Sequence, residues 1–244
     1  MNFLTSVMHL VGAGAVAYYS AAQIRDPKTR PNVLASFQLA ESGSVLFLSA
    51  LSERAATEGD TWLAAKLEKH AADETKHGQI FAYALKQVNK QVIAFKSQSE
   101  TKSKQQRSPF FDAFFAGYTP EQLKPAFIDW DVFMGSTYIL ELDASKDFAR
   151  MANVLPEQDP ITRNLKMGML SIAKDETGHA AYLYEAMTRR MSAHQVQKLI
   201  DEWRTRKVNA MLAMMGGILQ RQGETRSLVQ DSVSSTTDAE LMAV

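Results

Sequence analysis

Apolar and small residues recur at helical spacing through most of the chain. From Val33 to about Glu58, the series Val33, Phe37, Ala40, Ser44, Phe47, Leu48 and Leu51 marks one face of a helix. The turn Gly59-Asp60-Thr61 interrupts it, with Asp60 or Thr61 placed to cap a second helix from Trp62 to about Ile93. So short a connection makes the two helices antiparallel neighbours. A third helix is predicted over about Ala126 to Val154, before Pro156 and Pro160, and a fourth from about Ile161 to Arg190. Ser192 caps a fifth, about Ala193 to Leu219, whose last turns Gly216-Gly217 weaken. Convincing strand-like alternation is not found. The expected class is all-α, a helical bundle with additional N- and C-terminal helices.

The segments between these helices carry their own signals. Arg30-Pro31-Asn32 ends the first apolar stretch, and Asn32 is a candidate cap. The polar run Lys96 to Ser108 has no period and reads as a surface loop. Pro109 to Tyr118 is rich in aromatics that are expected to close one end of the bundle. Thr119-Pro120-Glu121-Gln122 has the form of a capping box, and Pro125 is positioned to disturb the helix it would start. Residues 1–222 are expected to form one domain, with the core bundle at about 33–190, and 223–244 a flexible tail rich in Ser, Thr, Gln and Asp. The N-terminal apolar segment, Phe3 to about Tyr19, is short for a membrane span and lacks a basic leader region. It is expected to dock as a helix in a cytoplasmic protein, with peripheral membrane association as the alternative.

Composition narrows the chemistry. The 244 residues are 45% hydrophobic, enough for one large core. The 27 basic and 27 acidic residues balance, so no nucleic-acid partner is expected. Cysteine is absent, which excludes disulfides and thiolate ligation. Any metal must be held by nitrogen and oxygen.

A repeated string supplies such donors. The second helix contains Asp73-Glu74-Thr75-Lys76-His77 and the fourth Asp175-Glu176-Thr177-Gly178-His179. In each, Glu and His are three apart and share a helical face. Each partner helix carries one glutamate in an apolar run, Glu41 and Glu141. Glu41 precedes Glu74 by 33 residues and Glu141 precedes Glu176 by 35, so two hairpins of similar size each present Glu, then Glu-x-x-His. Face to face they supply four carboxylates and two imidazoles, a set that neutralises two divalent cations and suits iron or manganese, including mixed occupancy. Buried glutamates are otherwise costly.

Asp73 and Asp175 are placed to accept the second N–H of a histidine, within a helix or across the two, and Tyr138, one turn before Glu141, is a further candidate to line the site. Phe37, Phe81, Ile139 and Leu140 are candidate pocket walls, and Ser145 reads as a local helix hydroxyl. Glu53, Asp131, Asp143, His9 and His70 have no comparable spacing argument, and His194 reads as surface.

Over about residues 33 to 190 the chain resembles the ferritin-like di-iron carboxylate superfamily. DETKHGQIFAYAL and DETGHAAYLYEAM look like the two Glu-x-x-His helices of soluble acyl-carrier-protein desaturases, and Asp-Glu-x-x-His is also similar to the motif of di-iron monooxygenases. Those relatives often carry arginine before the histidine, where this chain has Lys76 and Gly178. The resemblance implies a four-helix bundle with Glu41 and Glu141 as outer carboxylates, Glu74 and Glu176 as bridges, and His77 and His179 as terminal ligands. It implies O2 activation at two iron ions, fed by an external electron donor, to hydroxylate, desaturate or otherwise oxidise an apolar small or lipid-like substrate. A homodimer is an allowed assembly. The alternatives are iron oxidation or peroxide reduction by a ferritin-like protein, and a non-enzymatic metal-stabilised scaffold.

Overall fold

The structure, a computed structural model, describes residues 14, 17–93, 108–220 and 227–232. Most of the N-terminal apolar segment, the polar run before Ser108 and most of the C-terminal tail therefore lie outside the described residues.

The described chain is predominantly helical: α1 (17–25), α2 (Arg30–Thr57), α3 (Thr61–Gln87), α4 (Pro109–Phe114), α5 (Trp130–Asn153), α6 (Pro160–Arg190) and α7 (Ala193–Gln220). α2 lies along α3 and α5 along α6, and the two pairs meet through α3 and α6. Asp60 caps α3, accepting from Leu63 N at 3.0 Å, and its other oxygen takes Arg190 of α6 at 2.6 Å. Ser192 and Gln195 form a reciprocal capping box at the start of α7.

Two apolar clusters flank the middle of the hairpins. One joins Leu48, Leu51, Leu63, Leu67, Phe133 and Ile139 to Trp203 of α7, and the other joins Leu34, Phe81, Leu85, Phe148, Met151 and Leu165. Each fully buried side chain of this size contributes about 1.5–3 kcal/mol. Gly135 has a packing reason: a Cβ there would lie 2.4 Å from Trp203 Cδ1, so only glycine lets α7 close onto α5 at that point.

Several boundaries differ from the sequence expectation. α3 stops at Gln87 rather than about Ile93, because Asn89 adopts φ +53°, a left-handed conformation asparagine tolerates. The chain then forms β1 (Lys90–Val92), which pairs antiparallel with β2 (Val229–Asp231). These three residues of the expected flexible tail are thus part of a two-stranded ribbon. Asn32 is not a cap: it lies inside α2, and its side chain accepts the Leu228 N–H at 2.6 Å, holding the ribbon against that helix. Thr119 and Gln122 do make capping-box hydrogen bonds, yet residues 120–127 remain turns, since Pro125 has no N–H to continue a helix. α5 starts at Trp130, capped by Asp129. Arg54 ties the turn segment down by donating to the carbonyls of Pro125 (3.1 Å) and Ile128 (2.7 Å).

Among the described residues one helix, α2, is long and apolar enough to cross a membrane, with mean hydropathy 1.3 over its best window. Length and composition alone do not separate that role from a core helix. Leu39 and Leu46 are exposed on its outer face, while its inner face brings Glu41 inside.

Candidate metal centre

α2, α3, α5 and α6 each deliver acidic or histidine side chains to one buried level between the hairpins. α2 and α3 approach closely at Gly78, where a Cβ would sit 2.4 Å from Ser42 Oγ. The adjoining residues Glu41 and His77 meet there, Oε2 to Nδ1 at 3.4 Å. The same Nδ1 faces Glu176 Oε1 at 3.3 Å and Glu74 Oε1 at 3.7 Å. On the other side His179 Nδ1 faces Glu176 Oε2 at 3.3 Å, Glu74 Oε1 at 3.8 Å and Glu141 Oε2 at 3.9 Å. Glu176 therefore turns one oxygen toward each histidine. All six glutamates and histidines singled out by spacing are brought together.

The rear nitrogens are held across the hairpins. His77 Nε2 lies 3.4 Å from Asp175 Oδ2, and His179 Nε2 lies 3.3 Å from Asp73 Oδ2. Each aspartate serves the histidine of the opposite hairpin, which keeps the two Nδ1 atoms aimed at the carboxylates. Asp73 also contacts Lys69 and takes Lys76 Nζ at 2.8 Å. Burial works against its charge, but these cations and His179 hold its carboxyl well below the usual range.

His70 joins the cluster although spacing did not select it. Its Nε2 is 3.2 Å from Glu74 Oε1 and 3.5 Å from Glu141 Oε1, and its ring stacks on His179 with centroids 3.7 Å apart. The signal was in the sequence: His70 precedes Glu74 by one helical turn, so α3 reads His-x-x-x-Glu-x-x-His on one face. Tyr138 packs against Tyr184, centroids 5.9 Å apart. The tyrosine that reaches the cluster is Tyr182, whose hydroxyl is 2.8 Å from His70 Nδ1. Ser145 donates to Leu142 O within its own helix. Of the four candidate walls, Leu140 lines a cavity beside the cluster, while Phe37 and Phe81 pack with Phe148 in the core and Ile139 is buried in the other cluster.

Burial opposes charge throughout the cluster, and the neighbours decide the outcome. Burial pushes the Glu41 carboxyl well up, with Glu74 and Glu176 adding to it against the His77 contact. Burial and the facing Glu141 push Glu176 up to about 7. At Glu74 burial is overcome by His70 and His77, which hold it down to about 2. Glu141 is likewise held low against burial by contacts with Glu176, His179 and His70. Carboxylates outweigh burial at the histidines and push His77 up to about 12 and His179 up to about 10. A cluster that draws protons so strongly draws divalent cations for the same reason, and each cation bound must release protons.

Two groups of donors have atoms all within 4.8 Å of one another: Glu41, Glu74, His77 and Glu176, and His70, Glu74, Glu141 and His179. Glu74 is common to both. His77 Nδ1 is buried and makes no hydrogen bond, although three carboxylates surround it. An orphaned imidazole nitrogen at such distances fits a cation placed between it and the oxygens. The two buried clusters can thus hold metal ions. A scan against protein-family models finds no match, and neither a search of curated proteins nor one of solved structures finds one. The helical chain with its buried His/Glu cluster is compatible with a di-iron ferritin-like fold.

Proposed function

We propose that the chain is a ferritin-like four-helix-bundle oxidoreductase that uses two iron ions and O2 to oxidise a small, uncharged, apolar molecule. The observation that carries this reading is a cavity of about 310 Å³ that reaches the cluster. Its walls are Phe47, Leu48, Phe133 and Leu140, with Phe111 and Phe115 from the segment around α4, and it ends on His70, Glu74 and Glu141. That volume suits a small ligand. No lysine or arginine lines it among the described residues. Beyond the cluster end the lining is apolar apart from Ser44, Ser136 and Thr137, which favours a neutral substrate.

The donor set of carboxylates and imidazoles suits iron or manganese. Bound iron would supply the redox chemistry of O2 activation, with electrons from an external donor. The chain's own residues bind and shield. Glu74 would lie between both metal positions, and Glu176 presents an oxygen to each histidine. Asp73 and Asp175 fix the ring orientations of His179 and His77. Phe47, Phe133 and Leu140 exclude water from the face where substrate would meet the metals.

The test is O2 uptake by Fe(II)-loaded protein with a chemical reductant and toluene as a neutral probe. Oxidised toluene should form, and Leu140→Trp should abolish it while metal content stays at about two per chain. Ferric mineral accumulating with no organic product in the wild type would overturn the oxygenase reading in favour of iron oxidation.

A further inference from the structure

We propose that the two metal positions are chemically unequal, because His70 is a third imidazole ligand serving only the cavity-facing one, with Tyr182 as its positioning residue. The inference rests on the two-metal reading of the cluster. One position is framed by Glu41, Glu74, His77 and Glu176, with a single imidazole; the other by His70, Glu74, Glu141 and His179, with two. His70 is 1% exposed and sits 3.2 Å from Glu74 and 3.5 Å from Glu141 through the same Nε2. Such a buried nitrogen, convergent with two carboxylates, is a ligand by geometry.

Tyr182 engages Nδ1 and leaves Nε2 as the ring nitrogen available to a metal. Its oxygen is 2.8 Å from His70 Nδ1 and the residue is buried. With the Nδ1 hydrogen donated to the phenol oxygen, the Nε2 lone pair is the one directed at the carboxylates. This pair, His70 of α3 with Tyr182 of α6, has no repeat-related counterpart. At the repeat offset of 102 residues that relates Glu74 to Glu176, the counterpart of His70 is Ile172 and the counterpart of Tyr182 is Ile80. Neither isoleucine can donate, accept or ligate.

The cavity opens on this position. His70, Glu74 and Glu141 line it; Glu41, His77 and Glu176 do not, among the described residues. The imidazole-rich position is therefore the one that substrate would approach, with Glu41, His77 and Glu176 of the other position outside the cavity lining.

Anaerobic titration of the metal-free chain with Co(II) alone, followed by calorimetry and X-ray absorption, tests this without any turnover. Wild type should bind two ions in two resolved steps, with three imidazole nitrogens shared between them. His70→Ala should weaken one step about 10–100-fold and leave the other, with added imidazole restoring the weakened step. Tyr182→Phe, which removes only the hydroxyl and preserves the ring, should weaken the same step about 10-fold. Two unchanged steps in both variants, with three imidazoles not found in the wild type, would overturn the proposal. Fewer than two ions bound by the wild type would instead sink the two-metal reading itself. If His70→Ala loses its helical circular dichroism, Tyr182→Phe and the wild-type imidazole count decide alone.

Discussion

The two hairpins carry the same ligand string but surround it differently. In the α2–α3 hairpin, Glu74 is flanked by His70 one turn earlier, and Ser44 Oγ donates to its Oε2 at 3.1 Å. In the α5–α6 hairpin the corresponding positions are Ile172 and Ala144, both apolar. Asp73 sits between Lys69 and Lys76; the residues matching those lysines are Ser171 and Gly178, and Asp175 is 30% exposed. A Cβ at Gly178 would meet nothing within 4 Å, so no packing constraint requires glycine there. The repeat thus keeps the Glu and Glu-x-x-His donors on each side and departs where one side alone is polar. Similar ligands in unlike surroundings make positions that differ in affinity and access.

The largest effect expected from breaking this comparison is at the shared ligand. Glu74→Ala should reduce metal content from about two ions per chain to nearly none, whereas Glu41→Ala should spare one position. Metal analysis after gel filtration separates the cases, and equal losses in both variants would mean that the positions are not individually built. The alkaline limb of stability should come next. His179 is pushed up to about 10 and His77 up to about 12, both from an ordinary 6.5. A raised histidine stabilises the fold fully below its unfolded value and loses that contribution as pH rises through its folded value. The Tm of chelator-treated protein should therefore fall from pH 7 to 10 through both histidines, and above pH 10 through His77 alone. His179→Gln should make the fall between pH 7 and 10 shallower, and a Tm constant to pH 10 in the parent chain would contradict the prediction.

Smaller effects sharpen the contrast. Ser44→Ala removes one hydrogen bond to a carboxylate and should cost about 1.5–3 kcal/mol of stability, measured by urea unfolding of the metal-free chain. Lys76→Ala should cost about 1 kcal/mol or less, because the lysine is largely exposed and Lys69 still contacts Asp73. A loss in Lys76→Ala exceeding that in Ser44→Ala would reverse the assigned importance of the two supports.

Local pattern and periodicity already determined much of this protein. The helical class, the hairpin turn at Asp60, and the convergence of Glu41, Glu74, His77, Glu141, Glu176 and His179 follow from spacing along helices, because a 3.6-residue period fixes which side chains share a face. The cross-hairpin role of Asp73 and Asp175 was open in the sequence, since a carboxylate four residues before a histidine can serve its own helix or a neighbour. Only the packing of α3 against α6 chose the neighbour. Packing also decided between Tyr138 and Tyr182. Each lies one turn from a ligand, but rotation about its helix sends the first to Tyr184 and the second to His70. His70 itself was visible as an i, i+4 partner of Glu74, yet its repeat counterpart is isoleucine, so the symmetry that singled out six candidate ligands concealed the seventh. The ribbon of Lys90–Val92 with Val229–Asp231 joins segments far apart in sequence, and no local pattern can pair them. Periodicity sets what each helix offers; tertiary contact sets which offers meet.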